Sequence, residues 1–195
     1  MCSGKTSRLI DTLGCHLSCR KGMPVIITHT HDSRSNTGAS SHNQLTSLHP
    51  ANMDHIATDT LPTLDVLDKY DVIGVDEGQF FSGLVDWCQN LRRCGKIVYV
   101  AGLARDYHDH HFNEMWDLTK LADRSEKFRA YCYDCTNMYD DLLILDKEKT
   151  ATHSYRLVHS DEQILIGGCE TYIPLCSLHY VQRTRFLMPK LNEPE

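Results

Sequence analysis

The first stretch of the chain sets its large apolar residues at helical spacing. Leu9, Ile10, Leu13 and Leu17 fall on one face between Thr6 and Lys21, and Gly22 supplies a C-terminal stop, so a helix is expected there. The pattern then turns to short continuous apolar runs. Val25-Ile26-Ile27 reads as a buried strand. Asp71-Val72-Ile73-Gly74-Val75-Asp76 reads as a second that ends in acid, and Ile97-Val98-Tyr99-Val100-Ala101 as a third. Phe81, Leu84, Val85, Cys88 and Leu91 share a face, which predicts a helix over 81–93. Leu61 to Tyr70 supports at most a short connecting helix, and the polar stretch from His29 to Asn43 reads as a loop. Alternation of strand and helix patterns is the signature of βαβ units and a parallel sheet, so the fold class is α/β with helices flanking the sheet. After about Phe128, cysteines, turns and short runs such as Ile164-Leu165-Ile166 dominate. The expected division is a larger α/β domain over 1–128 and a small loop-rich domain over 129–195.

Composition narrows the classes. A chain of 195 residues with 41% hydrophobic content suits one globular domain plus a small appendage. The net charge of −6 argues against an electrostatic grip on nucleic acid, although it leaves room for a nucleotide pocket built from a few local donors. No apolar run approaches the ~18 residues of a membrane span. No secretory apolar segment opens the chain. No membrane partner is expected, and a cytoplasmic location is the default. Nine cysteines without a leader point to a reducing compartment, where clustered cysteines bind metal more often than they pair.

Three constellations carry chemistry. Ser3-Gly4-Lys5-Thr6 matches the back half of G-x-x-x-x-G-K-[ST], a loop whose backbone N–H groups cradle phosphates while the lysine reaches the β/γ-phosphates and the hydroxyl reaches Mg²⁺; an ordinary helix start reads the same way. Asp76, at the end of a buried strand downstream of such a loop, suits Mg²⁺, and Glu77 beside it suits a general base, against the plainer reading of an acidic strand-end turn. Cys132-x-x-Cys135 and Cys176-x-x-His179 offer three thiolates and an imidazole, a tetrahedral zinc set that leaves no open position and is therefore structural; Cys169 is a spare thiol nearby. His108, Asp109, His110 and His111 look metal-like, but a solvated loop is the better reading. Cys2, Cys15, Cys19, Cys88 and Cys94 read as small apolar packing residues.

Taken in order, these motifs make a more specific pattern. Ser-Gly-Lys-Thr at 3–6, Asp-Ser-Arg at 32–34, Ser41-His42 and Asp-Glu-Gly-Gln-Phe-Phe at 76–81 are followed by Gly102-Leu103 with Tyr107 and Phe112. Cys-x-x-Cys at 132–135, Ala151 to Leu157, Ile166-Gly167-Gly168 with Tyr172, and Cys176-x-x-His179 complete it. The series resembles the cytosolic and viral thymidine kinase family over nearly the whole chain, most closely its large-DNA-virus members.

The resemblance implies a P-loop sheet, a small zinc-binding lasso domain that closes over a nucleoside, and transfer of the ATP γ-phosphate to the 5′-hydroxyl of thymidine. It implies that Ser3, Gly4, Lys5, Thr6 and Arg34 hold ATP phosphates, that Thr6 and Asp76 serve Mg²⁺, and that Glu77 takes the hydroxyl proton. It implies a thymine site from Met1, Phe80, Leu103, Tyr107, Phe112, Ser154, Leu165, Gly167 and Tyr172, a structural zinc on Cys132, Cys135, Cys176 and His179, and a homo-oligomer, dimer or tetramer. There are departures from the family pattern. The family's opening strand and first loop glycine have no counterpart before Met1, so either translation is expected to start upstream or the sequence is expected to be incomplete at its start. His179 stands where the family has Cys, Tyr107 where Phe is expected, and Ser154 where Thr is usual. The segment between Cys135 and Ala151 is longer, as an extended hairpin would be. Set against a kinase are a non-catalytic nucleotide-binding relative, a deoxynucleoside kinase of broader specificity, and a zinc-ribbon interaction module, which the acidic charge disfavours.

Overall fold

Strands β1 (Pro24–His29), β2 (Asp54–Thr58), β3 (Val72–Val75) and β4 (Ile97–Val100) pair in parallel in the order β2-β1-β3-β4. The register sets Val25 opposite Asp54 and Ile73, and Val72 opposite Ile97. In the computed structural model, which describes residues 3–19, 22–30, 53–137, 150–158, 162, 165, 167–168 and 170–185, every residue of β1 and β3 is buried. That follows from their unbroken apolar runs, because a central parallel strand is covered on both faces. Met1, Asp32, Arg34, Ser41, His42, Cys2, Cys169 and residues 138–149 lie outside the described residues.

Alternate strand residues serve different helices. On one face, Ile26 and Val72 pack against Leu9, Ile10 and Leu13 of α1 (Lys5–Ser18), with Tyr99 at the margin. Gly74 lies on this face too; a Cβ there would come within 2.5 Å of Leu13 Cδ1, so its missing side chain is what lets α1 sit close. On the other face, Val25, Ile27, Ile73 and Val75 meet Leu67 of α2 (Leu64–Leu67) and Leu91 of α3 (Leu84–Arg93), together with Tyr70 and Phe81. The result is helix, sheet and helix in three layers.

Several boundaries differ from the sequence expectations. α1 stops at Ser18, before Lys21, and Gly22 (φ 99°) instead makes the turn into β1. α3 starts at Leu84 because Gly83 adopts a left-handed φ of 71°, and a 3₁₀ turn over Gly78–Phe80 precedes it. Phe81 is still buried, ahead of the helix rather than within it. β2 and α4 (Met115–Leu121) were not foreseen. β2 is an edge strand of mixed exposure and polarity, and of α4 Met115 is buried whereas Trp116 and Leu121 are exposed, so neither carries a clear period. Cys15, Cys19 and Cys94 are exposed and Cys88 is half-buried, which overturns the reading of the first three as packing residues: they lie on the outer faces of their helices or just past them.

The chain divides into two units, Gly4–Lys127 and Phe128–Glu195 with Met1–Ser3. The second unit holds α5 (Tyr133–Asn137), an antiparallel pair β5 (His153–Arg156) and β6 (Tyr172–Leu175), and α6 (Ser177–Arg185). Its core is Cys132, Ile173, Leu175 and Cys176, with Cys135, Tyr155 and Tyr180 against them. Arg183 of α6 donates through Nε and Nη2 to both oxygens of the buried Asp134 carboxylate at 2.8 and 2.7 Å, tying α6 to the turn between Cys132 and Cys135. Such a two-pronged ion pair fixes geometry as well as distance.

Leu13 is fully buried between α1 and β3. Leu13→Ala is expected to destabilise the protein by about 3 kcal/mol, through lost transfer energy and the cavity left behind. Urea unfolding followed by circular dichroism reads this as a lower midpoint.

Candidate functional site

The first turn of α1 and the end of β3 converge. Gly4 caps α1 in a left-handed conformation (φ 80°), with no side-chain cap and no acid in the first turn. The first-turn N–H groups and the positive end of the helix dipole are thereby suited to an anion. Lys5 and Thr6 open this helix, and half-buried Ser3 precedes it. Asp76 follows β3 directly; its N–H bonds Ile27 O at 2.9 Å, continuing the sheet. Its carboxylate is 3% exposed and accepts the Glu77 N–H at 3.0 Å.

Burial pushes the Asp76 carboxyl up to about 7, and the neighbouring Glu77 charge adds to that. The Thr6 hydroxyl bonded to it and the Lys5 ammonium pull the other way without prevailing. An acid held in this way has unmet demand for positive charge. A divalent cation bound by Asp76 and Thr6 would supply it, and Lys5 and the α1 N-terminus would meet phosphate oxygens beside it.

Glu77 stands in the left-handed region (φ 49°, ψ 44°), costly for a residue with a Cβ at roughly 1–2 kcal/mol. The conformation is held from both sides. Glu77 O accepts the Phe80 N–H at 3.0 Å, and the Gly78 N–H bonds Ala101 O at 2.9 Å. Strain of this kind persists where its surroundings over-determine it, often where a side chain must be aimed. The pattern reading overlooked Gln79. Its side chain is 2% exposed, donates from Nε2 to Glu77 Oε2 at 2.7 Å and accepts the Leu103 N–H on Oε1 at 2.9 Å. The sole signal in the chain was its place inside the Asp-Glu-Gly-Gln-Phe-Phe block.

Of the residues expected at a flat base, Phe80 and Phe112 meet edge to face, with ring centroids 6.0 Å apart. His29, buried at the end of β1, contacts Phe80 (5.6 Å) and Phe81 (4.9 Å). Leu103 is attached to this group through Gln79. Tyr107 is half-buried with its ring 3.9 Å from that of His108. The surrounding loop is organised by Asp106, whose carboxylate accepts the His108 and His110 N–H groups at 3.0 and 2.9 Å, and by an Arg105–Asp109 pair at 2.7 Å. Its histidines form no metal-ligand cluster among the described residues.

In the second unit, Tyr172 is buried and its hydroxyl donates to Leu165 O at 3.0 Å. The buried Arg156 guanidinium, also overlooked in the sequence, donates to that hydroxyl at 3.1 and 2.7 Å and to Glu162 O at 2.6 Å. Ser154 faces Pro174 across the β5–β6 ladder. Gly167 admits no side chain, since a Cβ there would collide with Thr171.

Cys132, Cys135, Cys176 and His179 bring their ligand atoms within 4.8 Å of one another. Each sulfur lies 3.4 Å from His179 Nδ1, and Cys135 Sγ lies 3.9 Å from Cys176 Sγ. With metal–sulfur bonds of about 2.3 Å and a metal–nitrogen bond of about 2.0 Å, a tetrahedron has edges of about 3.5 and 3.8 Å. The four residues fit one ion. Burial opposes ionisation of Cys132, but the N–H groups of Cys135 and Cys176 and the His179 ring outweigh it and hold the thiol at about 7. Burial and the other two sulfurs push Cys135 up to about 12. The three sulfurs could therefore all ionise together only with a cation among them.

The Asp76 shift has a consequence for stability. Between 3.8 and about 7 the folded protein holds a proton that the unfolded chain has released. The resulting stabilisation is complete at low pH and is lost as pH rises through about 7. Asp76→Asn removes the ionisation, so without divalent cations the variant is expected to melt several degrees above the parent at pH 8, with the gain shrinking as pH falls toward 4. Adding Mg²⁺ and ATP should raise the melting temperature of the parent far more than that of the variant. Thermal scans across pH check both.

Comparison with known proteins gives a consistent answer. The family model described as thymidine kinase matches residues 1–180. The thymidine kinase of Choristoneura fumiferana entomopoxvirus is 32% identical over 185 residues, covering 92% of this chain and 91% of the relative. That of Variola virus is 31% identical over 182 residues, covering 93% and 92%. The rice enzyme is 38% identical over 118 residues, 60% of this chain and 39% of its own length. With a family match of this extent and two relatives aligned almost end to end, the chain belongs to the thymidine kinase family.

Proposed function

We propose that this kinase transfers the γ-phosphate of ATP to the 5′-hydroxyl of thymidine, giving ADP and thymidine monophosphate. The observation that carries the reading is the meeting of Lys5, Thr6, Asp76 and Glu77 where α1 begins and β3 ends. Phosphoryl transfer requires charge neutralisation and in-line positioning rather than covalent help, and these groups supply both. Ser3, Gly4, Lys5 and Thr6 take the phosphates, with Arg34 as a further phosphate contact. Thr6 and Asp76 would hold Mg²⁺, which would supply charge neutralisation for the transferred phosphoryl group. Glu77 accepts the proton as the hydroxyl oxygen attacks the γ-phosphorus and the bond to the β–γ bridging oxygen breaks. Phe80, Leu103, Tyr107 and Phe112 of the first unit are the proposed thymine contacts. The ion on Cys132, Cys135, Cys176 and His179 is zinc, structural because the set leaves no open position.

Glu77→Gln is expected to lower kcat by about 100-fold or more while ATP affinity changes little, since one acceptor is removed and the phosphate contacts remain. Turnover assays with thymidine, deoxyuridine and deoxycytidine, alongside nucleotide titration, test this; parent-like turnover by the variant would sink the mechanism. Metal analysis of purified protein should find one zinc per chain. His179→Ala should lower zinc retention under chelator challenge and depress the melting temperature, and His179→Cys should restore both, because either side chain completes the tetrahedron.

A further inference from the structure

We infer that Gln79 is a positioning residue that aims the Glu77 carboxylate at the acceptor hydroxyl and couples that aim to the strand-end segment carrying Leu103. The inference rests on the assignment of Glu77 as the base. Its geometry is unusual for a buried carboxamide. Oε1 accepts the Leu103 N–H at 2.9 Å and Nε2 donates to Glu77 Oε2 at 2.7 Å. The orientation is dictated by the partners: a backbone N–H can only donate and a carboxylate can only accept, so the amide fits one way round.

The side chain is enclosed so that it has little other choice. It is 2% exposed. A Cβ on Gly102 would lie 2.8 Å from Gln79 Oε1 and 2.8 Å from Met115 Cε, and one on Gly78 would lie 2.6 Å from Val100 Cγ1. The missing side chain of Gly102 thus leaves room for the Gln79 amide oxygen, and that of Gly78 lets the turn pack on Val100. Asn113, itself left-handed (φ 49°), donates from Nδ2 to Gln79 O at 3.2 Å and Phe81 O at 2.9 Å, fixing the main chain behind it.

The consequence is directional. Glu77 is half-buried on a strained backbone, and the hydrogen bond from Gln79 bears on its carboxylate directly. The Gln79 donor holds Glu77 Oε2 and so favours one rotation of the carboxylate. Displacement of a reacting group by about 1 Å is enough to slow an enzyme by about 100-fold. Gln79 also hangs Leu103 from the same amide, so movement of that segment reaches Glu77 directly.

The test is a double-mutant cycle on the full chain using Gln79→Met, which keeps length and volume but removes both hydrogen bonds. Thymidine binding by calorimetry gives the number of competent sites, and kcat is referred to that number. Gln79→Met should lower kcat by about 10- to 100-fold with a smaller rise in thymidine KM. In a Glu77→Gln background the same change should alter the residual rate by less than about 3-fold, because the group being aimed has gone. An equal loss in both backgrounds, or an unchanged kcat, overturns the inference. If Gln79→Met binds no thymidine, Gln79→Asn, which shortens the amide so that it cannot span both partners, takes its place in the cycle. Parent-like turnover by Glu77→Gln alone marks failure of the base assignment instead. Parent-like turnover by the Gln79 variants beside an inactive Glu77→Gln marks failure of the positioning role only.

Discussion

Much of the larger unit follows from one constraint: the central strand β3 is buried along its length and ends in a carboxylate that is buried too. Burying a lone charge is so unfavourable that the group resists ionising or recruits a partner. Asp76 does both, shifting upward while drawing on Thr6, Lys5 and the Glu77 N–H. The sheet needs β3 apolar and covered on both faces; the chemistry needs an acid at its end. A cation bound beside Asp76, as proposed, would relieve the cost of burying its charge.

The smaller unit solves a different problem. Its described core is a handful of side chains, three of them cysteines, on a two-stranded ladder. So little apolar surface cannot by itself order so many turns. A tetrahedral ion held by the Cys/His cluster would add cross-links among α5, the end of β6 and α6, and the Arg183–Asp134 pair makes part of that connection in ionic form. Arg156 and Tyr172 do the same at the opposite end of the ladder, fixing the strand ends to Leu165 and Glu162 by hydrogen bonds rather than by packing.

What could be read in the chain was what depends on local pattern. β1 and β3 announced themselves because strands buried on both faces are unbroken apolar runs, and the cysteine pairs because ligand spacing is local. β2 was invisible since an edge strand needs no such run, and α6 because what it buries is the ligand His179 rather than an apolar stripe. The exposed Cys15, Cys19 and Cys94 misled because composition says nothing of which side of a helix a residue occupies. Gln79 and Arg156 were missed for a deeper reason. Their importance lies in partners at distant positions, Leu103 for the one and Tyr172 for the other, and such pairings exist only in the folded chain.

Gly74 shows how far a missing side chain can reach. It sits on β3 beneath Leu13, two residues before Asp76, and the space it leaves sets the distance between α1 and the sheet. That distance in turn sets how far the N-terminus of α1 stands from the acid that follows β3. Positions 74 and 13 therefore share a single volume, and evolution can exchange atoms between them but cannot add to their sum. A homologue with a larger residue at the first should carry a smaller one at the second, or set α1 further from the sheet.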